Sequence, residues 1–132
     1  MAYEFNRNQQ DANYTSTVAI AQGGANTAAF DLEQAVGGDI EKVVFELAAP
    51  AAAGITSGKT VSYEFQDSAD GSSWAATDPI IVTAQIADGS GIAANTVRFR
   101  LPADTRRYVR IAQTMTASAG TVSGNMVAKL LF

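Results

Sequence analysis

Thr60-Val-Ser-Tyr-Glu-Phe-Gln66 alternates without a break: Val61, Tyr63 and Phe65 fall on one side of an extended chain, Ser62, Glu64 and Gln66 on the other. Successive side chains of a strand point to opposite faces, so this segment reads as a strand with one buried face. The same period continues outward in both directions. Glu41 to Ala48 places Val43, Phe45 and Leu47 together, and Thr96 to Leu101 sets Val97, Phe99 and Leu101 against Arg98 and Arg100. Val18 with Ile20, Phe30 with Leu32, Arg107 to Gln113, and Val122 to Phe132 add further strands, and Pro79 to Ile86 is a more apolar run. Turn signals separate them at Gly23-Gly24, Gly37-Gly38, Ser57-Gly58, Asp70-Gly71, Asp88-Gly89, Pro102 and Ala119-Gly120. The Ala-rich segment 48–54 is broken by Pro50 and Gly54 and reads as a loop. About eight β-rich strands with no sustained helical period predict an all-β, single-domain β-sandwich, and eight strands suit a jelly roll. Residues 1–13, polar and without period, read as an arm or a loose first strand, and the predicted division is an N-terminal arm over 1–13 and the sandwich over 14–132.

Composition narrows the function. The 132 residues include no Cys and no His, which removes thiol nucleophiles, Ser-His-Asp triads, disulfides and most transition-metal sites. The reading expects no enzyme, no metal and no cofactor. Net charge is −4, against the basic balance of a phosphate-binding domain, so no direct nucleic-acid partner is expected. The N-terminus lacks an apolar signal core, and no apolar run approaches the roughly 20 residues of a membrane span, so no membrane partner is expected either. Charge is uneven along the chain: residues 1–66 hold 3 basic and 8 acidic residues, and residues 67–132 hold 6 basic and 5 acidic.

Two segments carry most of the specific signal. Gln66-Asp-Ser-Ala-Asp-Gly-Ser-Ser-Trp74 is a strand end, a tight turn at Asp70-Gly71 and an aromatic residue able to fold back over the strand. Asp67 and Asp70 suggest a calcium loop only weakly, because the repeated carboxylates and closing Glu of an EF-hand loop are missing. The second segment, Arg98 to Ile111, holds five of the nine basic residues. Arg98 and Arg100 share one strand face, and Arg110 shares a face with Tyr108 on the next strand. If those strands are neighbours, the arginines form a stripe. Such a stripe is either a solvated face with salt bridges to Glu46, Glu64 or Asp104, or an interface that binds carboxylates.

Ser68 to Trp74 (S-x-D-G-x-x-W), then Leu101 to Arg110 (L-P-x-D-T-R-R-Y-V-R), then a Gly-containing loop and an apolar C-terminal strand resemble the small capsid decoration, or cement, proteins of tailed bacteriophages. The resemblance covers roughly residues 28–132. It implies a β-sandwich, often a jelly roll, that binds the outer surface of the expanded capsid, commonly as a homotrimer. It implies the major capsid protein as partner and the virion exterior as location, after synthesis in the host cytoplasm. On that reading the interface candidates are Arg98, Arg100, Arg107 and Arg110, with Tyr3, Phe5 and Arg7 of the arm. Discoidin-like and other galactose-binding-type carbohydrate modules share S-x-D-G-x-x-W followed by R-Y-V-R. In those modules the two elements are neighbouring structural strands rather than ligand contacts, and the alternative expectation is a sugar-binding sandwich using Trp74 and nearby polar loops.

Overall fold

The computed structural model describes residues 10–32, 43–77, 80–102, 104–116 and 123–131. Within them the regular elements are ten strands: β1 (Gln10–Ala19), β2 (Ala25–Asn26), β3 (Phe30–Asp31), β4 (Val44–Ala49), β5 (Thr60–Ser68), β6 (Ala75–Ala76), β7 (Val82–Ile86), β8 (Asn95–Arg100), β9 (Tyr108–Met115) and β10 (Asn125–Leu131). They form an all-β sandwich of two antiparallel sheets. One sheet has the order β1-β10-β4-β8. The other is centred on β9-β5, with β2 and β3 both paired to β9 and β6 and β7 both paired to β5. The count exceeds eight because two edge positions are each interrupted into two short strands. The predicted turns at Gly37-Gly38 and Ala119-Gly120, and Tyr3, Phe5 and Arg7, lie outside the described residues.

The alternation in the sequence becomes the core. Val61, Tyr63 and Phe65 of β5, Phe45 and Leu47 of β4, Val109 and Ile111 of β9, and Met126, Ala128 and Leu130 of β10 are all buried. Four phenylalanines tie the sheets together. Phe45 stacks on Phe99 at 5.4 Å within its own sheet, and both meet Phe65 of the opposite sheet edge-on at 5.2 Å. Phe30 meets Phe45 edge-on at 5.8 Å. Such pairs contribute roughly 0.5–1.5 kcal/mol each beyond the area they bury.

Two elements depart from the sequence pattern. β1 begins at Gln10, so of the two readings of the polar N-terminal stretch residues 10–13 follow the strand one. There Gln10 pairs with Leu131, and the register slips between Gln10 and Thr15. A ladder of backbone hydrogen bonds needs no apolar alternation, so polar composition alone does not choose between arm and strand. The apolar run, described from Ile80 onward, holds the strand β7 but turns its large apolar side chains outward. In β7 Gln85 points inward while Val82 and Ile86 point out, 52 % and 69 % exposed, with Ile80 just before them at 68 %. Gln85 is inward because three polar groups, the buried Tyr63 hydroxyl among them, bond to it. Its Oε1 accepts from the Tyr63 hydroxyl at 2.7 Å, and its Nε2 donates to the carbonyls of Pro50 at 2.9 Å and Ala93 at 2.7 Å. Slipping β7 by one residue would bury its apolar side chains but orphan all three groups.

Candidate interaction surfaces

The two motif segments pack against each other at one end of the β9-β5 sheet. Ser68 lies opposite Tyr108 in the ladder between β5 and β9. Beyond Ser68 the chain turns on Asp70, whose Oδ1 accepts from the amides of Ser72 at 2.8 Å and Ser73 at 2.9 Å and from the Ser68 hydroxyl at 2.9 Å. Those amide and hydroxyl donors hold its carboxyl down at about 2. Gly71 closes the turn at φ +80°, its Cα facing the Tyr108 ring at a distance that leaves a Cβ 3.7 Å from it. Trp74 then folds back over β9, where the Arg110 guanidinium lies 4.4 Å from its ring centroid.

The other segment makes its own turn: Thr105 donates through its amide (3.0 Å) and its hydroxyl (2.6 Å) to the Pro102 carbonyl. That turn aims Arg106 at Asp67. The buried Asp67 carboxylate accepts from the Arg106 amide at 2.9 Å and from its guanidinium at 2.7 and 3.1 Å. Asp67 and Asp70 therefore serve different structural contacts: one is buried against Arg106, the other is exposed and holds its own turn. The two motif segments build a sheet end.

The arginines do not form one stripe. Arg98 and Arg100 lie on β8, the edge of the first sheet, whereas Arg107 and Arg110 belong to the second sheet's β9 region, so the condition of neighbouring strands is not met. Arg98 is paired across the ladder with the buried Glu46 at 2.6 Å. Arg107 grips Asp31 with two bonds of 2.7 and 2.9 Å and lies 5.3 Å from the Tyr108 ring centroid. Arg110 donates to Gln66 at 2.9 Å, and Gln66 in turn donates to Glu64 at 2.9 Å. Burial beneath Trp74 lowers the Arg110 pKa from its ordinary value, far from enough to discharge it at neutral pH. Arg100 is exposed and has no ion pair among the described residues.

Sequence reasoning missed the surface on β7. Ile80, Val82 and Ile86 are the exposed large hydrophobic side chains among the described residues, and all three lie on or beside one edge strand. Alternation of Val82, Ala84 and Ile86 with Thr83 and Gln85 was visible, but it does not say which set faces in. Beside this stripe the sandwich is open. An apolar cleft of about 80 Å³ runs between edge strands β7 and β8, lined by Leu47, Phe65, Ile81, Val82, Val97 and Phe99 among others. A shallower groove of about 290 Å³ adjoins it at Ala84 to Ile86 and Ala93 to Asn95. In comparison with known proteins, the chain matches no protein-family model and no curated protein sequence.

Proposed function

We propose that this chain is a structural capsid decoration protein that binds the outer surface of a phage head, self-associates, and strengthens contacts between major capsid protein subunits. The observation that carries the reading is the outward apolar stripe Ile80, Val82 and Ile86 on an edge strand. An exposed apolar row beside unpaired backbone groups invites aggregation unless a protein partner covers it. The strand order agrees with a jelly roll. Counting β2/β3 and β6/β7 as one position each leaves eight positions, paired first with eighth, second with seventh, third with sixth and fourth with fifth, as in one long ribbon wound into two sheets. Lattice binding repeats each contact many times, so modest single contacts suffice.

Sugar recognition through Trp74 has less support, since Arg110 already covers one face of the indole. The deciding experiment is co-sedimentation with expanded heads of the encoding phage stripped of their decoration protein, with light scattering on the free chain. Binding by the wild type, lost in the doubly substituted Val82→Asp/Ile86→Asp, is the expected result. A wild-type chain that ignores such heads overturns the proposal.

A further inference from the structure

The chain carries the same tetrapeptide twice, as Ala69-Asp70-Gly71-Ser72 and as Ala87-Asp88-Gly89-Ser90. An aspartyl side chain followed by glycine is open to attack by the next backbone amide, because glycine has no Cβ to hinder the approach. The local sequence is identical, so a difference in reactivity between the copies comes from the fold. We propose that Asp88 is a site of spontaneous isomerisation to isoaspartate, and that the fold protects Asp70 from the same reaction.

The reaction is an internal acyl transfer. The Gly89 nitrogen bonds to the Asp88 side-chain carboxyl carbon, a carboxyl oxygen leaves as water together with the amide proton, and a five-membered succinimide closes. Water then adds back and opens the ring at either carbonyl. One opening restores aspartate, and the other gives isoaspartate, whose main chain runs through the side-chain carbons. Water lost in the first half is regained in the second, so the product has the mass of the starting chain.

Three contrasts separate the copies. The attacking amide is occupied at the first, where Gly71 donates to the Ser68 hydroxyl oxygen at 2.9 Å. At the second, the Gly89 amide has no hydrogen-bond partner among the described residues. The carboxyls differ as well. Asp70 Oδ1 accepts from the Ser72 and Ser73 amides and the Ser68 hydroxyl, whereas Asp88 Oδ1 accepts from the Ser90 amide alone, at 2.7 Å. Ring closure expels water more readily from the acid than from the carboxylate. The three donors hold the Asp70 carboxyl at about 2 against an ordinary 3.8, which makes its acid form roughly sixtyfold rarer at neutral pH than that of an ordinary aspartate. Packing is the third contrast. Gly71 lies against the Tyr108 ring, while a Cβ on exposed Gly89 would meet no atom within 4 Å. The bonds between Asp88 and Gly91 pin the ends of the second turn and leave its tip, Gly89-Ser90, in water.

The test holds the full chain folded in neutral buffer below its Tm and, in parallel, unfolded in guanidinium chloride. Isoaspartate at each site is counted by peptide mapping with electron-transfer fragmentation, and in total by labelling with a protein isoaspartyl methyltransferase. The unfolded chain should convert both sites at equal rates. In the folded chain Asp88 should convert faster than Asp70 by on the order of tenfold or more. Asp88→Glu, whose extra methylene rules out a five-membered ring, should remove the label from the folded protein. Ser68→Ala, which frees the Gly71 amide and removes one donor from Asp70, should raise conversion at Asp70. Folded protein in which Asp70 converts as fast as Asp88 overturns the proposal, as does an Asp88 that stays unconverted while the unfolded chain accumulates isoaspartate there.

Discussion

Asp70 shows how one side chain sets local geometry here. Its carboxylate holds the amides of Ser72 and Ser73 and the Ser68 hydroxyl, and so remains ionised down to about pH 2 in the folded protein. The unfolded chain binds that proton near pH 3.8. Stability contributed by Asp70 is therefore complete above about pH 4 and is lost as pH falls toward 2. Asp70→Asn, which keeps an acceptor oxygen, should flatten this acid limb while nearly preserving Tm at pH 7; Asp70→Ala should lower Tm at both. Acid titration followed by circular dichroism separates the two. Gln85 is the second decisive residue. Burial raises the pKa of its partner Tyr63, so the phenol stays protonated as donor. Gln85→Ala orphans the Tyr63 hydroxyl and the carbonyls of Pro50 and Ala93, and should cost about 3 kcal/mol in urea unfolding. Asp67 and Asp70 were readable in sequence as a turn. That Asp67 answers Arg106, 39 positions away, was not, because a loop between strands can aim either residue of Arg106-Arg107 inward.

Among elements, the β7–β8 connection is the most constrained. Asp88 and Gly91 exchange backbone hydrogen bonds of 2.9 and 3.1 Å, and Ala52 and Ile92 do the same at 3.2 and 2.9 Å. Gly91 sits at φ +98°, and a Cβ there would lie 2.2 Å from the Ala52 carbonyl oxygen. Gly91→Ala should therefore destabilise by at least about 2 kcal/mol, measured by denaturant midpoint, because both the backbone conformation and the bridge must give way. Strands with one apolar face were legible: β4 and β5 bury the side chains their alternation predicts, and β8 turns Val97 and Phe99 toward the core side, where both are partly covered. β7 was not legible, since its alternation is compatible with either face inward and only the hydrogen bonds of Gln85 choose. Of the interrupted edges, β2 and β6 escaped for a related reason: two-residue strands have no period to detect.

For the whole molecule, the surface chemistry separates by face. The β8 edge carries Arg98 and Arg100, the β7 edge carries Ile80, Val82 and Ile86, and the outer face of the second sheet carries the Glu64, Gln66, Arg110 and Trp74 array. Arg98 is a poor probe of binding, because charge reversal sets two carboxylates side by side with Glu46. Arg100→Glu is the clean probe. It should leave stability within about 0.5 kcal/mol of wild type while weakening head binding in the co-sedimentation assay. Sequence by itself determined the all-β class, the alternating core residues, the Asp70-Gly71 turn and the exclusion of cysteine and histidine chemistry, because each depends on local periodicity or residue type. Only the tertiary structure decided the pairing of strands, the separation of the arginines onto different sheets and the outward turn of the β7 hydrophobics. Those features depend on which backbone groups and buried polar atoms find partners far along the chain, and alternation with a period of two carries no information about distance.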